Sequence, residues 1–419
     1  MPTSSTKSKR RKKGTGPGPK SAGVKVTTPA AIKAPQMQIS DRTWTICSVV
    51  ILLAAAFLRL YDLDLVPLHH DEGVNGNFLV RLVREGAYQY DPGNYHGPTL
   101  YYFSAIIPWI IRFIFGPSAQ NSYGLTTFMI RMVPGLFGIG TVGLILLLRR
   151  RLGSIGTLSA AGLLAISPGA VYLSRYFIHE TLFVFFTIAI VVAVLRYYED
   201  GHPIYLMLAL ISTALLFATK ETAFVSGGVL LLAVASTYCY LWLTRQIGWT
   251  RSARRKQQPS SLRSFVDRAG GKNALAVWGL IGLVVFVAVY VLFYSSFFTN
   301  FPKGVTDSLK TFEIWSKTGR RDHIHPWTTY IKWLSGQESP LLFLGSVGAV
   351  FVLLKPKNIF ALFSSFWAFG LIAAYSLIGY KTPWLLLSFI VPLALIAGYA
   401  FQVVYETHWA GLRAFIMVA

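Results

Sequence analysis

The stretch Leu68-His69-His70-Asp71-Glu72-Gly73 places four consecutive ionisable side chains between an apolar segment at 44–61 and the next one at 99–115. Only 13% of the residues in this chain are charged, so a run of ionisable residues is unusual in it. The side of a membrane that these four residues face determines how the rest of the sequence is interpreted.

Composition indicates the class of protein. Hydrophobic residues make up 53% of the 419 residues, and aromatic residues make up 15%. Many apolar segments are long enough, or nearly so, to cross a hydrocarbon layer of about 30 Å as a helix. They lie at 44–61, 99–115, 126–148, 154–173, 178–198, 204–219, 222–243, 273–295, 340–354, 358–379 and 383–404. The sequence therefore predicts an all-α polytopic membrane protein.

Residues 1–43 have a different composition. They are rich in Ser, Thr, Pro, Gly and Lys and contain the run Lys9-Arg10-Arg11-Lys12-Lys13. Such a segment is too polar to bury a core and too long for the basic start of a secretory signal. We expect a disordered, basic cytoplasmic tail. A basic run before a span sets orientation or contacts anionic lipid more often than it binds nucleic acid, so membrane lipids are the expected partner.

The positive-inside rule decides the topology. If 99–115 crossed the membrane, Arg149-Arg150-Arg151 and the basic segment 245–272 would both lie outside, against this rule. We therefore expect 72–85 and 99–115 to form two helices along the outer interface, in the first outer loop. About ten spans remain.

This topology gathers polar residues at the outer surface or at the outer ends of spans. A charge near hydrocarbon costs roughly 3 kcal/mol on insertion scales, so we expect these residues to pair, to reach the interface or to act on a substrate. Several of them in one outward cavity would form an active site. They are His69, His70, Asp71, Glu72, His96, Arg175, His179, Glu180, Lys220, Glu221, His323, His325 and Lys381.

The two adjacent acids have a functional and a structural interpretation. Asp71 and Glu72 point to different sides of a helix that begins there. One can therefore face a cavity while the other caps the helix or pairs with Arg81 or Arg84. In the structural interpretation, both acids serve only the N-terminus of the helix.

The basic residues also have two interpretations. Arg175 can bind a phosphate through two hydrogen bonds, or it can join two helix ends by pairing with Glu180. Single lysines at an interface usually extend to lipid headgroups, so Lys220 or Lys381 alone is weak evidence. Two lysines and an arginine on the same face as an acid resemble a phosphate clamp.

A metal site is a further alternative. His69, His70 and His179 lie near acids, and these residue types suit zinc or manganese. No spacing such as HExxH supports a metal, and adjacent histidines do not easily bind one ion together. A divalent metal therefore stays open, and no other cofactor is expected.

Several short motifs follow one another along residues 44–404. They are His70-Asp71-Glu72-Gly73, Tyr95-His96-Gly97-Pro98-Thr99-Leu100-Tyr101-Tyr102, Phe115-Gly116-Pro117-Ser118, Arg131-Met132-Val133-Pro134-Gly135-Leu136, Ser174-Arg175 with Glu180, and Thr219-Lys220. Their order resembles that of the GT-C membrane glycosyltransferases. Within these, the chain resembles the family 39-like branch of protein O-mannosyltransferases and lipid A aminoarabinose transferases, in particular the prokaryotic flippase-activity-associated group.

The resemblance implies a fold and an activity. The fold is a GT-C-like bundle of about ten or more transmembrane helices with two juxtamembrane helices in the first outer loop. The activity is the transfer of a hexosyl or pentosyl group from a polyprenyl-phosphate-linked donor, with inversion at the anomeric carbon. The transfer takes place at the outer face of the plasma membrane, and the acceptor is a lipid, a glycan or a protein.

The resemblance also implies roles for single residues. Asp71 matches the residue that acts as base on the acceptor hydroxyl in this family, and Glu72 is adjacent to it. Glu180 matches a second acid at the mouth of a later span. The residues that match the groups holding the lipid phosphate are Arg175, Lys220 and Lys381.

Two features depart from the family pattern. Aminoarabinose transferases have a lysine at the position of Gly97, so either His96 takes its part or the donor is held differently. Members of the family also usually continue past the last span seen here. We therefore expect 405–419 to be the start of a truncated C-terminal region.

Two other functions are weighed against the transferase. A transporter or lipid flippase places its charged site near the bilayer midplane, with broken helices and internal repeats, whereas the ionisable residues here are expected at one face. A non-catalytic partner of a glycan-assembly system would keep the fold and lose the chemistry. Retention of Asp71, Glu72, Glu180 and the three basic residues favours an enzyme.

Cysteine labelling tests the topology. We expect a membrane-impermeant thiol reagent added outside to modify a cysteine placed at position 96 and to leave one at position 256 unmodified, because the charge pattern puts these positions on opposite sides. The reverse labelling pattern would overturn the topology.

Overall fold

The computed structural model describes residues 1, 39–94, 96–116, 124–247, 266–267, 270–318 and 323–418. Most of the predicted tail at 1–43 lies outside the described residues, as do position 256 and Ala419. The described chain contains helices and no strand, which confirms the all-α prediction.

The helices follow the apolar segments of the sequence to within a few residues at most ends. The segment 154–173 is broken at Ser167, and the last segment continues to Val418. The elements are α1 Asp41–Leu60, α2 His70–Glu85, α3 Thr99–Phe115, α4 Thr127–Leu146, α5 Arg149–Leu152, α6 Ser154–Ile166, α7 Pro168–Ser174, α8 Glu180–Asp200, α9 Pro203–Phe217, α10 Ala223–Gln246, α11 Lys272–Tyr294, α12 Lys303–Thr318, α13 Thr329–Gln337, α14 Ser339–Leu354, α15 Ile359–Leu377, the 3₁₀ turn Pro383–Leu385 and α16 Leu386–Val418.

The number of apolar helices agrees with a polytopic membrane protein. Seven of the described helices are long and apolar enough to cross a membrane, or nine if each of two bent helix pairs counts as one span. The bent pairs are α6 with α7, at 58°, and α13 with α14, at 109°. The helices α3 and α9 are shorter apolar helices. The sequence predicts about ten spans, and α9 would be a further one if it also crosses.

One end of the bundle carries a network of arginine ion pairs. Arg149 contacts Asp41 at the start of α1, at 2.8 Å. Arg151 contacts Glu199 at the end of α8, at 2.7 Å, and Arg150 contacts the adjacent Asp200 at 3.1 Å. The basic triplet therefore joins the ends of α1 and α8 at the end of the bundle that the charge pattern assigns to the cytoplasm.

The opposite end carries α2 and α3. His69 and Glu72 form a capping box at the start of α2, and Gly86 ends this helix in a left-handed conformation with φ of 66°. The buried face of α2 packs on α3, and Arg112 of α3 donates to the Val83 carbonyl at 3.3 Å. The far end of α3 exposes Phe113.

Helix α16 forms the centre of the bundle. In its segment 383–408, 89% of the most apolar window is buried. Glycines allow two neighbours to approach it closely, which is a common way to pack helices in membranes. A Cβ atom on Gly398 would lie 2.2 Å from the Gly156 carbonyl oxygen of α6, and one on Gly348 of α14 would lie 2.2 Å from the Ile396 carbonyl oxygen. The backbones of α6 and α14 therefore contact α16 directly.

Substitution of Gly398 tests this packing. We expect Gly398→Ala to lower the free energy of unfolding by about 1–3 kcal/mol, because α6 must move away from α16. Gly227→Ala on α10 is the matched control, since a Cβ atom there meets nothing within 4 Å. Thermal unfolding in lipid nanodiscs measures both variants. Equal melting temperatures for the two would contradict the packing of α6 on α16.

Candidate active site

Residues from five separate connections meet at the end of the bundle that carries α2 and α3. The His69 ring lies 5.3 Å from the Trp384 ring and 5.9 Å from the Tyr176 ring, measured between ring centroids. These three residues come from the first loop, from the turn after α7 and from the turn before α16. The contacts bring together segments that are hundreds of residues apart in sequence.

Glu72 is fully buried and accepts four hydrogen bonds. Its Oε1 atom accepts from Arg131 Nε and from the Phe177 main-chain N–H, each at 2.8 Å. Its Oε2 atom accepts from Arg131 Nη2 at 2.6 Å and from the His69 N–H at 2.9 Å. Both carboxylate oxygens are therefore occupied by partners within the protein.

Arg131 is as fully engaged as its partner. Besides two bonds to Glu72, its terminal nitrogens donate to the main-chain carbonyls of Leu63, Val66 and Pro67, at 2.7–3.1 Å. All five N–H groups of the guanidinium thus have acceptors. The pair ties the outer end of α4 to the loop 61–69 and to the start of α2.

The network corrects one expectation and explains a pKa. Glu72 caps α2 as one interpretation of the sequence proposed, but its ion-pair partner is Arg131, so the expected pairing with Arg81 or Arg84 is wrong. Burial alone raises the pKa of Glu72, but the hydrogen bonds from Arg131, His69 and Phe177 outweigh it and lower the pKa below its usual value.

Asp71 differs from its neighbour. Its main-chain N–H donates to His69 Nδ1 at 3.2 Å, which helps to begin α2. Its side chain is partly exposed, and it makes no hydrogen bond or ion pair with any residue that the structure describes. Of the two acids, only Asp71 therefore has carboxylate oxygens free to accept a proton or a hydrogen bond from a ligand.

Glu180 and Lys220 form a buried ion pair. Lys220 Nζ donates to Glu180 Oε1 at 2.5 Å, and the two residues are 5% and 4% exposed. Burial alone lowers the pKa of Lys220, but the adjacent Glu180 carboxylate raises it above its usual value. The alternative pairing of Glu180 with Arg175 is therefore wrong. The pair joins the outer end of α8 to the turn between α9 and α10.

A histidine pair lies beside this lysine. His96 Nδ1 lies 3.1 Å from Glu221 Oε2, and the His96 ring lies 4.9 Å from the His179 ring. His179 is buried and donates from Nε2 to the Gly97 carbonyl at 2.9 Å. Burial, followed by the nearby His96 and Lys220, lowers the pKa of His179, so this ring is neutral. His179 thus holds the backbone of the first outer loop.

Gly97 sits where two backbones meet. Its N–H donates to the Thr219 carbonyl at 3.0 Å, and the adjacent His96 forms an isolated antiparallel bridge with Lys220. A Cβ atom on Gly97 would lie 2.0 Å from the Ala218 carbonyl oxygen. This contact explains the departure from the aminoarabinose transferase pattern, because a lysine at position 97 does not fit this arrangement.

Arg175 contacts main-chain carbonyls at the end of α1. Its terminal nitrogens donate to Leu58 at 3.1 Å, to Tyr61 at 2.6 Å and to Asp62 at 2.8 Å. These carbonyls carry the partial negative charge of a helix C-terminus. The side chain is only partly buried.

Lys381 is a buried cation without a carboxylate. It is 1% exposed, and its Nζ atom donates to the carbonyls of Ser376, at 3.1 Å, and Ile378. The Tyr330 ring lies beneath it, with the centroid 5.8 Å from Nζ. The segment 323–325 covers it, because the Lys381 N–H donates to the His323 carbonyl at 3.0 Å. No described acidic residue lies within ion-pair distance of Lys381.

Metal ligands do not cluster among the described residues. No group of three or more His, Cys, Asp or Glu side chains is close enough to hold one ion there. His69 caps α2 through Nδ1 and packs on two aromatic rings, while His70 is exposed. The described structure therefore offers no ready metal centre.

Two residues of this cluster, Arg131 and Glu221, have partners that the sequence did not predict. Arg131 stood within a recognised motif, and Glu221 stood among the outer polar residues, yet neither was paired with a partner. A buried arginine at the end of a span needs a counter-ion, and this requirement could have pointed to Glu72. The sequence does not show which of several nearby acids meets it.

Comparisons with known proteins identify one matching family and several solved structures of similar fold. Residues 104–253 match the family described as dolichyl-phosphate-mannose-protein mannosyltransferase. ArnT from Cupriavidus metallidurans bound to undecaprenyl phosphate has a similar structure, with a TM-score of 0.60 and 16% identity. The archaeal oligosaccharyltransferase AglB from Archaeoglobus fulgidus, in complex with an inhibitory peptide and a dolichol-phosphate, gives a TM-score of 0.54 and 14% identity. No curated protein matches the sequence.

The likeness concerns the fold. The ArnT comparison covers 86% of this chain and 60% of that protein, and the AglB comparison covers 90% and 52%. The chain thus spans little more than half the length of these solved structures. The chain has the fold of the GT-C membrane glycosyltransferases, and the resemblance found in the sequence is confirmed.

The Glu72–Arg131 pair predicts unequal effects for two adjacent substitutions. We expect Glu72→Gln to lower the free energy of unfolding by about 3–5 kcal/mol near neutral pH, because it leaves a buried arginine without a counter-ion. Asp71→Asn is the matched control and should change stability by less than about 0.5 kcal/mol, since its side chain has no described partner. Thermal unfolding measures both.

The pH dependence of the free energy of unfolding tests whether the charge of Glu72 causes this loss of stability. Because the pKa of Glu72 in the folded protein is below its usual 4.5, the stabilisation is complete above that pH and is lost as the pH falls through the folded-state pKa. The difference between wild type and Glu72→Gln should therefore shrink in acid. A difference that is the same at all pH values would show that the charge of Glu72 is not responsible.

Proposed function

We propose that the chain is an inverting glycosyltransferase that uses a polyprenyl-phosphate-linked sugar at the outer face of the plasma membrane. The acceptor is a hydroxyl group on a lipid, a glycan or a protein. The GT-C fold, the match of residues 104–253 and the polyprenyl-type phosphates bound in the similar structures support this proposal.

The unequal engagement of Asp71 and Glu72 is the observation that carries the mechanism. Glu72 already accepts four hydrogen bonds, whereas Asp71 has a partly exposed carboxylate with no described partner. A general base needs free oxygens within reach of the hydroxyl that it deprotonates. We therefore assign Asp71 as the base and Glu72 as the residue that fixes the loop bearing it.

The reaction follows from these roles. Asp71 takes the proton of the acceptor hydroxyl as the hydroxyl oxygen bonds to the anomeric carbon. The bond from that carbon to the phosphate oxygen breaks on the opposite face, and polyprenyl phosphate leaves with both bonding electrons. This displacement inverts the anomeric carbon. Cationic groups near the departing phosphate stabilise the charge that develops on it.

Lys381 and Lys220 supply that positive charge in different ways. Lys381 has no described carboxylate partner, so its charge is not already neutralised, and a lipid phosphate would complement it. The charge of Lys220 is balanced by Glu180, which we assign to hold the ammonium group in place. Arg175 adds a third cation from the end of α7, and His96 lies beside Lys220 through the backbone bridge.

The arrangement supports a transporter less well. Transporters hold substrates near the midplane, between broken helices whose ends face the cavity. The ion pairs of the candidate site and its free acid lie at helix ends and in connections at one end of the bundle. A site at the membrane surface suits a reaction between a membrane-embedded donor and an acceptor from outside.

An assay of donor cleavage tests the base. Purified protein in lipid is incubated with a panel of undecaprenyl-phosphate-linked sugars and acceptors, and released undecaprenyl phosphate is measured. We expect Asp71→Asn to reduce release at least about a hundredfold while donor-dependent thermal stabilisation persists, because general-base catalysis is lost and the binding groups remain. Asp64→Asn, an exposed acid of the same loop, is the control. Normal release by Asp71→Asn would contradict this assignment.

The basic residues are tested by binding. We expect Arg175→Ala and Lys381→Ala each to raise the concentration of undecaprenyl phosphate needed for half-maximal stabilisation about tenfold, because a charge-assisted hydrogen bond is lost. Lys310→Ala on α12 is the control, since Lys310 is exposed and pairs only with Asp307 among the described residues. If the variants instead lose folded protein and keep their affinity, both residues have structural roles.

A further inference from the structure

A single carboxyl group joins the two places where described helices break. Glu338 lies at the 109° bend between α13 and α14, and Ser167 lies at the 58° bend between α6 and α7. Glu338 Oε1 accepts from Ser167 Oγ at 2.6 Å and from the Gly169 main-chain N–H at 2.7 Å. Both Glu338 and Ser167 are 2% exposed. The two bends are therefore held together by buried hydrogen bonds.

The contact between Glu338 and Ser167 lies at the start of α7. Ser167 Oγ also accepts from the Ala170 N–H at 3.1 Å, which caps the first turn of α7. A Cβ atom on Gly169 would lie 2.9 Å from Glu338 Oε1, so a larger residue there would push the carboxyl group away. No basic residue within ion-pair distance of Glu338 is found in the described part of the chain. Glu338 thus acts here as a hydrogen-bond acceptor and not as half of an ion pair.

Each bent helix pair contacts or continues into a different cation of the candidate site. Helix α7 ends at Ser174, directly before Arg175. Helix α13 carries Tyr330, whose ring lies beneath Lys381. A shift between α7 and α13 would therefore change the position of Arg175 relative to Lys381. Arg175 and Lys381 are two of the three cations to which the proposed function assigns the lipid phosphate.

We propose that Glu338 is a positioning residue that sets the separation of Arg175 and Lys381 by fixing α7 against α13. This inference rests on the proposed function. Its structural part, the connection of the two bends, is independent of any substrate. The carboxyl group acts through an oxygen atom that accepts two hydrogen bonds, and glutamine presents an equivalent oxygen atom. A leucine of similar size presents none.

Two variants and one control separate this role from general stability. Glu338→Gln keeps the acceptor, and Glu338→Leu removes it. Gln402→Leu is the matched control, because Gln402 is 3% exposed and its Oε1 atom accepts from the Gly156 N–H at 2.9 Å, at the opposite end of α6. It therefore removes a comparable buried acceptor away from the site.

The first measurement is a distance that needs no substrate. Spin labels are placed at Tyr172 on α7 and Ile331 on α13, two exposed positions, in full-length protein in which Cys47 and Cys239 are replaced by serine. We expect one narrow distance distribution in the unsubstituted background, Glu338→Gln and Gln402→Leu. Glu338→Leu should give a broad or shifted distribution. A narrow, unshifted distribution in Glu338→Leu would overturn the proposal.

The second measurement is the affinity for undecaprenyl phosphate, determined by thermal stabilisation. We expect Glu338→Leu to weaken it about tenfold, the effect of losing a buried hydrogen-bond acceptor, while Glu338→Gln and Gln402→Leu keep it. Unchanged affinity in Glu338→Leu, with a wild type that binds, would overturn the positioning role alone. A wild type that binds none of the polyprenyl phosphates would remove the proposed function and the positioning role together.

Discussion

The ion pair between Glu72 and Arg131 is the constraint on which the end of the bundle that carries α2 and α3 depends. It is buried, and its two members use all of their hydrogen-bonding groups on each other and on the backbone. Through these bonds the pair fixes the loop after α1, the start of α2 and the turn after α7. Removing either partner would leave an uncompensated charge in a buried place, which is far more costly than losing an exposed pair.

This constraint gives the adjacent acids different chemistry. Because Glu72 is committed to the fold, Asp71 is presented from a rigid helix start with its carboxylate free. The same division recurs among the basic residues, where Lys220 is balanced by Glu180 and Lys381 has no described acidic partner. Asp71 and Lys381 thus keep charges that no described partner balances. Such a site suits a reaction in which a carboxylate takes up a proton and a negatively charged phosphate departs.

Much of the fold could be predicted from the sequence, because apolar segments of span length are strong local signals. The apolar segment 99–115 matches α3 at both ends. The outer polar residues were also predictable as a set. Their pairing was not, because pairing depends on packing between distant segments. Arg131 lies 59 residues from Glu72, and Glu338 lies 171 residues from Ser167. No local pattern shows that Glu72 pairs with Arg131 and not with Arg84, or that Arg175 does not pair with Glu180.

The most direct test of the account is a structure of the protein with a non-hydrolysable undecaprenyl phosphonate sugar. We expect an Asp71 oxygen to lie about 3–4 Å from the acceptor position on the face of the anomeric carbon opposite the phosphonate. We also expect the phosphonate to lie against Lys381 and Glu72 to remain bonded to Arg131. A complex in which Glu72 leaves Arg131 and faces the sugar, or in which the phosphonate binds away from the basic residues, would contradict the account.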